Sequence, residues 1–245
     1  MGKYRTDQDL ELLRYSDNEM LEVLVNYLTT DKDGSTRYTE SLTGEKAFQD
    51  AGKNYKQVWQ LIGAELQHFG GDTFVNLFRG NGVLYKEILT DVCKKLSVKA
   101  DFSADTVDIE QALLAKFFTD SWDKMNEEER RNIRRELKID GNLASGAALT
   151  AIITAIRMGG FMSYQVAMIV ANAVAKAVLG RGLALAANAG LVRAIGIFAG
   201  PIGMAITALL TIPAISGPAF RVTLPAVVQI AAMRQQMLNK GGDFF

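Results

Sequence analysis

The chain has 245 residues, 27 Lys and Arg against 27 Asp and Glu, and a single histidine and cysteine. A net charge of zero gives no electrostatic ground for a nucleic-acid partner, and one cysteine excludes an internal disulfide and fits a reducing compartment. The length allows one large domain or two small ones with a buried core.

The average hides a division. Residues 1–140 hold 20 basic and 26 acidic side chains, whereas residues 141–245 hold 7 and 1. All four prolines (201, 213, 218 and 225) lie in the second part, and 36 of its 105 residues are Ala or Gly. Two regions with different surroundings follow from this shift. The opening "MGKYRTDQDLELL" lacks the apolar run of a secretory signal. Its similarity to an acylation signal rests on Thr6 alone and is set aside. Synthesis and residence in a bacterial-type cytoplasm are the expectation.

In chain order, "TDQDLELLRYSDNEMLEVLVNYLTT" predicts two short helices, with Thr6 capping the first and a Ser16-x-x-Glu19 box opening the second. "TTDKDGSTR" reads as a polar loop. A helix through "YKQVWQLIGAELQHF" follows, its stripe formed by Val58, Leu61, Ile62, Leu66 and Phe69, with Gly70–Gly71 predicted to stop it and Asp72 to cap the next. After the turn "GNG" come helices over "VLYKEILTDVCKKL", "DTVDIEQALLAKFFTDSW" and "NEEERRNIRREL", the last with Glu127 and Arg131 four apart. No alternating strand pattern appears.

Beyond Asn142, Met158 to Ala175 is an 18-residue run without a charge, and Ala194 to Phe220 another of 27, broken by prolines. At about 1.5 Å per residue the shorter run reaches roughly 27 Å, near the thickness of a hydrocarbon core of about 30 Å. Its Ala, Gly, Val and Met content makes insertion marginal. Gly196 and Gly200 form a Gly-x-x-x-Gly pair that Gly203 extends, a spacing that lets helices approach closely in lipid or in a soluble bundle.

Candidate chemistry is sparse. Glu65-x-x-His68 has the spacing of a di-iron carboxylate motif, but that site needs a second histidine and further glutamates. His68 reads instead as a residue at a helix C-terminus. Cys93 lies inside "DVCKKL", where Lys94 and Lys95 would lower its pKa, yet no histidine base accompanies it. "RGNG" at 79–82 lacks the Lys-Ser/Thr ending of a phosphate loop. These patterns predict no catalytic residue, no metal and no cofactor. The second part's Arg157, Lys176, Arg181, Arg193, Arg221 and Arg234 form no cluster and have few aromatic neighbours, which argues against nucleic acid. They fit snorkelling at a bilayer or ion pairs with the acidic part.

At "WQLIGAELQHFGGDTFVNLFRGNGVLYKEILTDVCKKL" (59–96) the chain resembles the YaaW family of uncharacterised bacterial proteins, which carry similar Trp-Gln-Leu-Ile, Glu-Leu-Gln-x-Phe-Gly-Gly and Arg-Gly-x-Gly-x-x-Tyr runs. "YRTDQDLELLRYSDNEMLEVLVNYLT" resembles the N-terminal module found with that family, and "SGPAFRVTLPAVVQIAAMR" its closing segment. The resemblance implies a bacterial cytoplasmic or inner-membrane setting and a distant likeness to ubiquinol–cytochrome c chaperones. It implies no catalytic residues.

The expectation is thus an all-α protein with a short helical module (1–35), an amphipathic region (36–140) and a hydrophobic Ala/Gly-rich region (141–245). It is expected to act without catalysis. Its last region would associate conditionally with a membrane, pore formation being the sharpest version, or present an apolar groove to a client protein as a chaperone. Contacts with lipid, an apolar protein or a second copy would fall to Met158, Phe161, Ile169, Gly196, Gly200, Gly203 and Leu209, with Arg157, Lys176, Arg181, Arg193 and Arg221 as the basic rim.

Overall fold

A computed structural model describes residues 3–31, 34–38, 40–72, 82–183, 200–204, 206–208 and 219–241. Its helices are α1 (Asn18–Thr29), α2 (Lys46–Ala51), α3 (Trp59–Asp72), α4 (Tyr85–Lys95), α5 (Thr106–Trp122), α6 (Glu127–Glu136), α7 (Ser145–Met158), α8 (Gly160–Leu179) and α9 (Phe220–Asn239). Two 3-10 helices, Gln8–Arg14 and Tyr55–Val58, precede α1 and α3. Residues 200–204 and 206–208 are helical as well. The protein is all-α; among the described residues the one bridge of strand type is an isolated pairing of Thr30 with Thr36.

The helix α9 forms the centre. A helix that is apolar all round belongs in a core, and from Val222 to Gln235 every residue of α9 is buried. It packs against α8, α1, α4, α5 and α3. Pro225 lacks the amide that would have met the carbonyl of Arg221, a residue at the exposed start of the helix. The buried apolar cluster extends from Leu10 to Met237, so the three sequence regions share one core.

Local signals survive with shifted details. Asp7, not Thr6, caps the first 3-10 helix by accepting from the Asp9 amide at 3.0 Å. Asp17 stands at the N-cap of α1, and Ser16 instead donates back to the Leu12 carbonyl at 3.0 Å. Asn126 and Glu129 make a full capping box on α6, and Glu127 pairs with Arg130 rather than Arg131, at 3.1 Å. The short α2 had no sequence signal; none of its residues is buried.

Two corrections concern glycine. Gly70–Gly71 do not stop α3, which continues to Asp72. A Cβ on Gly70 would lie 2.6 Å from Cδ1 and Cγ1 of Ile88, so this glycine is needed for the close approach of α4. Conversely, the uncharged run from Met158 does not form one helix. Gly159 (φ +78°) and Gly160 (φ +75°) turn the chain between α7 and α8. The predicted helix "TFVNLFR", together with Gly196, Arg193 and Leu209, lies outside the described residues.

Candidate functional site

The densest polar constellation is buried, and sequence reasoning missed it. Arg234 on α9 is 1% exposed and donates through Nε to Oε2 of Glu110 on α5 at 2.9 Å. Its Nη2 reaches the carbonyl oxygen of Asp9 at 2.8 Å. Tyr85 on α4 donates its hydroxyl to Oε1 of Glu110 at 2.7 Å. Asp7 accepts from the Tyr85 amide at 2.7 Å, capping α4 from a distant segment. Thr106 at the start of α5 donates to Asp9 at 2.8 Å.

Burial pushes the carboxyl of Glu110 upward, and the Arg234 charge with the Tyr85 hydroxyl opposes that rise. The Tyr85 phenol is held well above its ordinary value by burial and by Glu110. With Glu110, Tyr85 and Arg234 at 0–1% exposure, no solute reaches them. The network therefore joins four segments of the fold and has no access to substrate.

The other chemical candidates separate in space. Glu65 is fully buried and receives the amide and hydroxyl of Ser41 at 2.8 and 2.7 Å, tying the loop before α2 to α3. His68 points to solvent beside Phe69, so the two members of Glu65-x-x-His68 do not meet. Cys93 is buried, and burial first, then the Glu110 charge, pushes its thiol up to about 12. This reverses the expectation from Lys94 and Lys95, whose ammonium groups sit over the rings of Phe102 and Phe220. Of "RGNG", Gly82 is described: a Cβ there would lie 2.6 Å from that of Gln67, so it serves packing. Among the described residues no group of three or more His, Cys, Asp and Glu is placed to hold a metal.

One open apolar feature is large. A groove of about 580 Å³ runs between α8 and the 200–208 segment, lined by Ala173, Lys176, Ala177, Gly200, Gly203, Met204, Thr207 and Ala208. Most of the lining side chains are small, and the exposed Lys176 is the one charged residue among them. Gly200 and Gly203 thus line one surface with Lys176. Met158 (82% exposed) and Phe161 (53%) lie elsewhere, at the turn between α7 and α8, with Arg157 exposed beside them. Arg181 and Arg221 are exposed too. Ile169 departs from expectation: at 1% exposure it faces the core and is no surface contact.

Of the scattered cations, Arg234 makes an ion pair with the acidic part, and Lys240, nearer the end of the sequence, pairs with Asp17 at 3.1 Å. The helix α8 is the one described helix long and apolar enough to cross a membrane (mean hydropathy 1.4), but 61% of that window is buried in the protein. A core helix passes the same test, and pore formation finds no support here.

Comparison with known proteins places these features in a family context. Residues 54–228 match the profile described as ubiquinol-cytochrome C chaperone, and residues 4–38 match a domain of unknown function. A UPF0174 protein of Helicobacter pylori strain J99 is 43% identical over 242 residues, covering 98% of this chain and 96% of its own length. The UPF0174 protein YaaW of Escherichia coli K12 is 35% identical over 242 residues, 96% of each chain. A UPF0174 protein of Helicobacter pylori strain 26695 is 37% identical over 207 residues, 82% of this chain and 99% of that one. No solved structure matches.

Proposed function

The chain belongs to the UPF0174 family and to the family described as ubiquinol-cytochrome C chaperone, and from that footing we propose that it acts without catalysis, as a chaperone-like assembly factor. It seats an apolar helical segment of a client protein between α8 and residues 200–208. The observation that carries this reading is the groove itself. Ala173 and Ala177 stand four apart on α8, and Gly200, Gly203, Met204, Thr207 and Ala208 recur at helical spacing on the opposite wall. Small residues at that spacing let a third helix approach closely, the general mode of helix-in-groove recognition. Lys176 at the rim favours a client segment bearing an acidic residue at one end.

The energetic logic supports a covered site. About 1,000 Å² of apolar surface held in water costs on the order of 25 kcal/mol, so apolar client segments need such a seat before assembly. The test is binding of a fluorescent Ala/Leu helical peptide of about 20 residues with one terminal glutamate. Ala177→Trp and Gly203→Trp, which fill the groove, should abolish binding and leave the circular dichroism unchanged. Equal binding by both variants would remove the groove from the mechanism.

A further inference from the structure

The start of α7 gathers hydrogen-bond donors that have no acceptor, and we propose that it binds the phosphate group of a phosphomonoester. Ala144 stands at the N-cap and offers no side-chain acceptor. The amides of Ser145, Gly146 and Ala147 make no backbone hydrogen bond among the described residues. The positive end of the helix dipole lies at the same place. Water alone could serve such an end; a neighbouring arginine makes it a site.

Arg134 on α6 is 8% exposed, makes no ion pair among the described residues, and has its Nε buried without an acceptor. Its Nη1 donates to the Leu143 carbonyl at 2.8 Å, which holds the guanidinium beside the residues leading into α7. The Nη2 makes no hydrogen bond and is not sealed, so it is the edge left for a ligand. Arg130 stands one turn earlier on the same side of α6. Its Nη1 lies 3.3 Å from Oγ of Ser145, so both guanidinium groups flank the same helix start. Arg130 is fixed there by the Trp122 carbonyl and by Glu127, each at 3.1 Å. The other carboxylates of this region are engaged: Asp140 accepts the Asn142 amide and Glu129 the Asn126 amide, each at 2.9 Å. Arg134 therefore keeps a charge that no described acid neutralises, the state in which a buried cation costs most.

The donors outnumber what a carboxylate accepts. Two guanidinium groups, the Ser145 hydroxyl and three amides suit a tetrahedral group with three terminal oxygens. There is room for it: a Cβ on Gly146 would meet nothing within 4 Å, and Ala144, Gly146 and Ala147 are exposed. The exposed Met158 lies at the other end of α7, roughly 20 Å away at about 1.5 Å per residue. A phosphate held here gains nothing from that apolar end, which favours a soluble phosphomonoester over a lipid headgroup. The site shares no residue with the client groove.

Titration of the intact protein with inorganic phosphate and with glycerol 3-phosphate, at an ionic strength matched with chloride, tests the site. Trp122 fluorescence reports it, because the Arg130 guanidinium lies over that ring at 5.6 Å. A saturable change with both phosphates and none with chloride is expected, and Arg134→Gln should weaken it about tenfold. Gly146→Asp keeps the test independent of folding: an aspartate in the first turn suits the helix dipole, while its charge excludes the anion. That variant should keep its circular dichroism and lose the response. Vesicles of phosphatidylcholine with phosphatidic acid form a second arm. Capture by them that Gly146→Asp abolishes, without a response to the soluble probes, would keep the phosphate site and assign it to a lipid. No response in either arm overturns the proposal, and so does a response that Gly146→Asp leaves intact. Ala177→Trp should not alter the phosphate response, so failure of the client groove and failure of this site are read separately.

Discussion

Removing the carboxylate of Glu110 should destabilise the protein far more than removing the whole network to which it belongs. In Glu110→Ala, Arg234 stays on α9 at 1% exposure and loses its 2.9 Å partner, while the Tyr85 hydroxyl loses an acceptor at 2.7 Å. Arg234 keeps, among its other contacts, the Asp9 carbonyl at 2.8 Å, the Asp9 carboxylate at 3.9 Å and the Tyr85 ring at 5.9 Å. Leaving a buried charge without its carboxylate costs about 3–5 kcal/mol, while the Tyr85 hydroxyl keeps the Val227 carbonyl as an acceptor at 3.4 Å. Replacing all three groups by apolar ones of similar size, as Glu110→Leu, Tyr85→Phe and Arg234→Met, removes the buried charges together. That variant should lie within about 1 kcal/mol of the parent or above it. Urea unfolding followed by the fluorescence of Trp59 and Trp122 measures both. Equal losses in the single and triple variants would show that the three side chains do not act as a coupled unit.

Other perturbations have equally direct readouts. Gly70→Ala brings a methyl group to 2.6 Å from Ile88 and should cost about 1–3 kcal/mol, with Ile88→Val recovering part of the loss in the same urea assay. Burial, with the Asp9 charge adding to it, raises the carboxyl of Asp7, while the Tyr85 and Asp9 amides oppose the rise. A carboxyl raised in the folded state binds its proton more tightly there, so its contribution is fully present below the unfolded value of about 4 and is lost as pH rises through the folded one. Asp7→Asn should therefore flatten the dependence of stability on pH just above that value; an unchanged slope would refute the assignment. Glu65→Ala removes both acceptors of Ser41 and should cost about 1–3 kcal/mol while making the loop before α2 more sensitive to limited proteolysis.

The sequence exposed elements whose signals are local and hid those decided by distant neighbours. The stripe of α3 and the helices α4, α5 and α6 were legible because the apolar period lies within one helix, whereas the predicted caps Thr6 and Ser16 were displaced by one residue. Gly70 looked like a stop because its partner, Ile88, comes from α4. Arg234 looked like one of several scattered cations because Glu110 lies 124 positions away, and nothing in either segment announces the pairing. The Met158–Ala175 run suggested a span because composition alone does not register that Gly159 and Gly160 redirect the chain. Of the surface residues, Gly200, Gly203 and Lys176 do line one groove. Ile169 shares their apolar character but sits on the inward face of α8, a distinction that requires the rotation of the helix.

The most direct test of the chaperone reading is the affinity of the intact protein for the glutamate-tipped Ala/Leu helix, measured by fluorescence anisotropy beside the Ala177→Trp variant. Saturable binding by the parent and its loss in the folded variant are the predicted results. A parent protein that ignores the peptide, or a variant that binds it as well, would contradict the claim that the space between α8 and residues 200–208 receives a client.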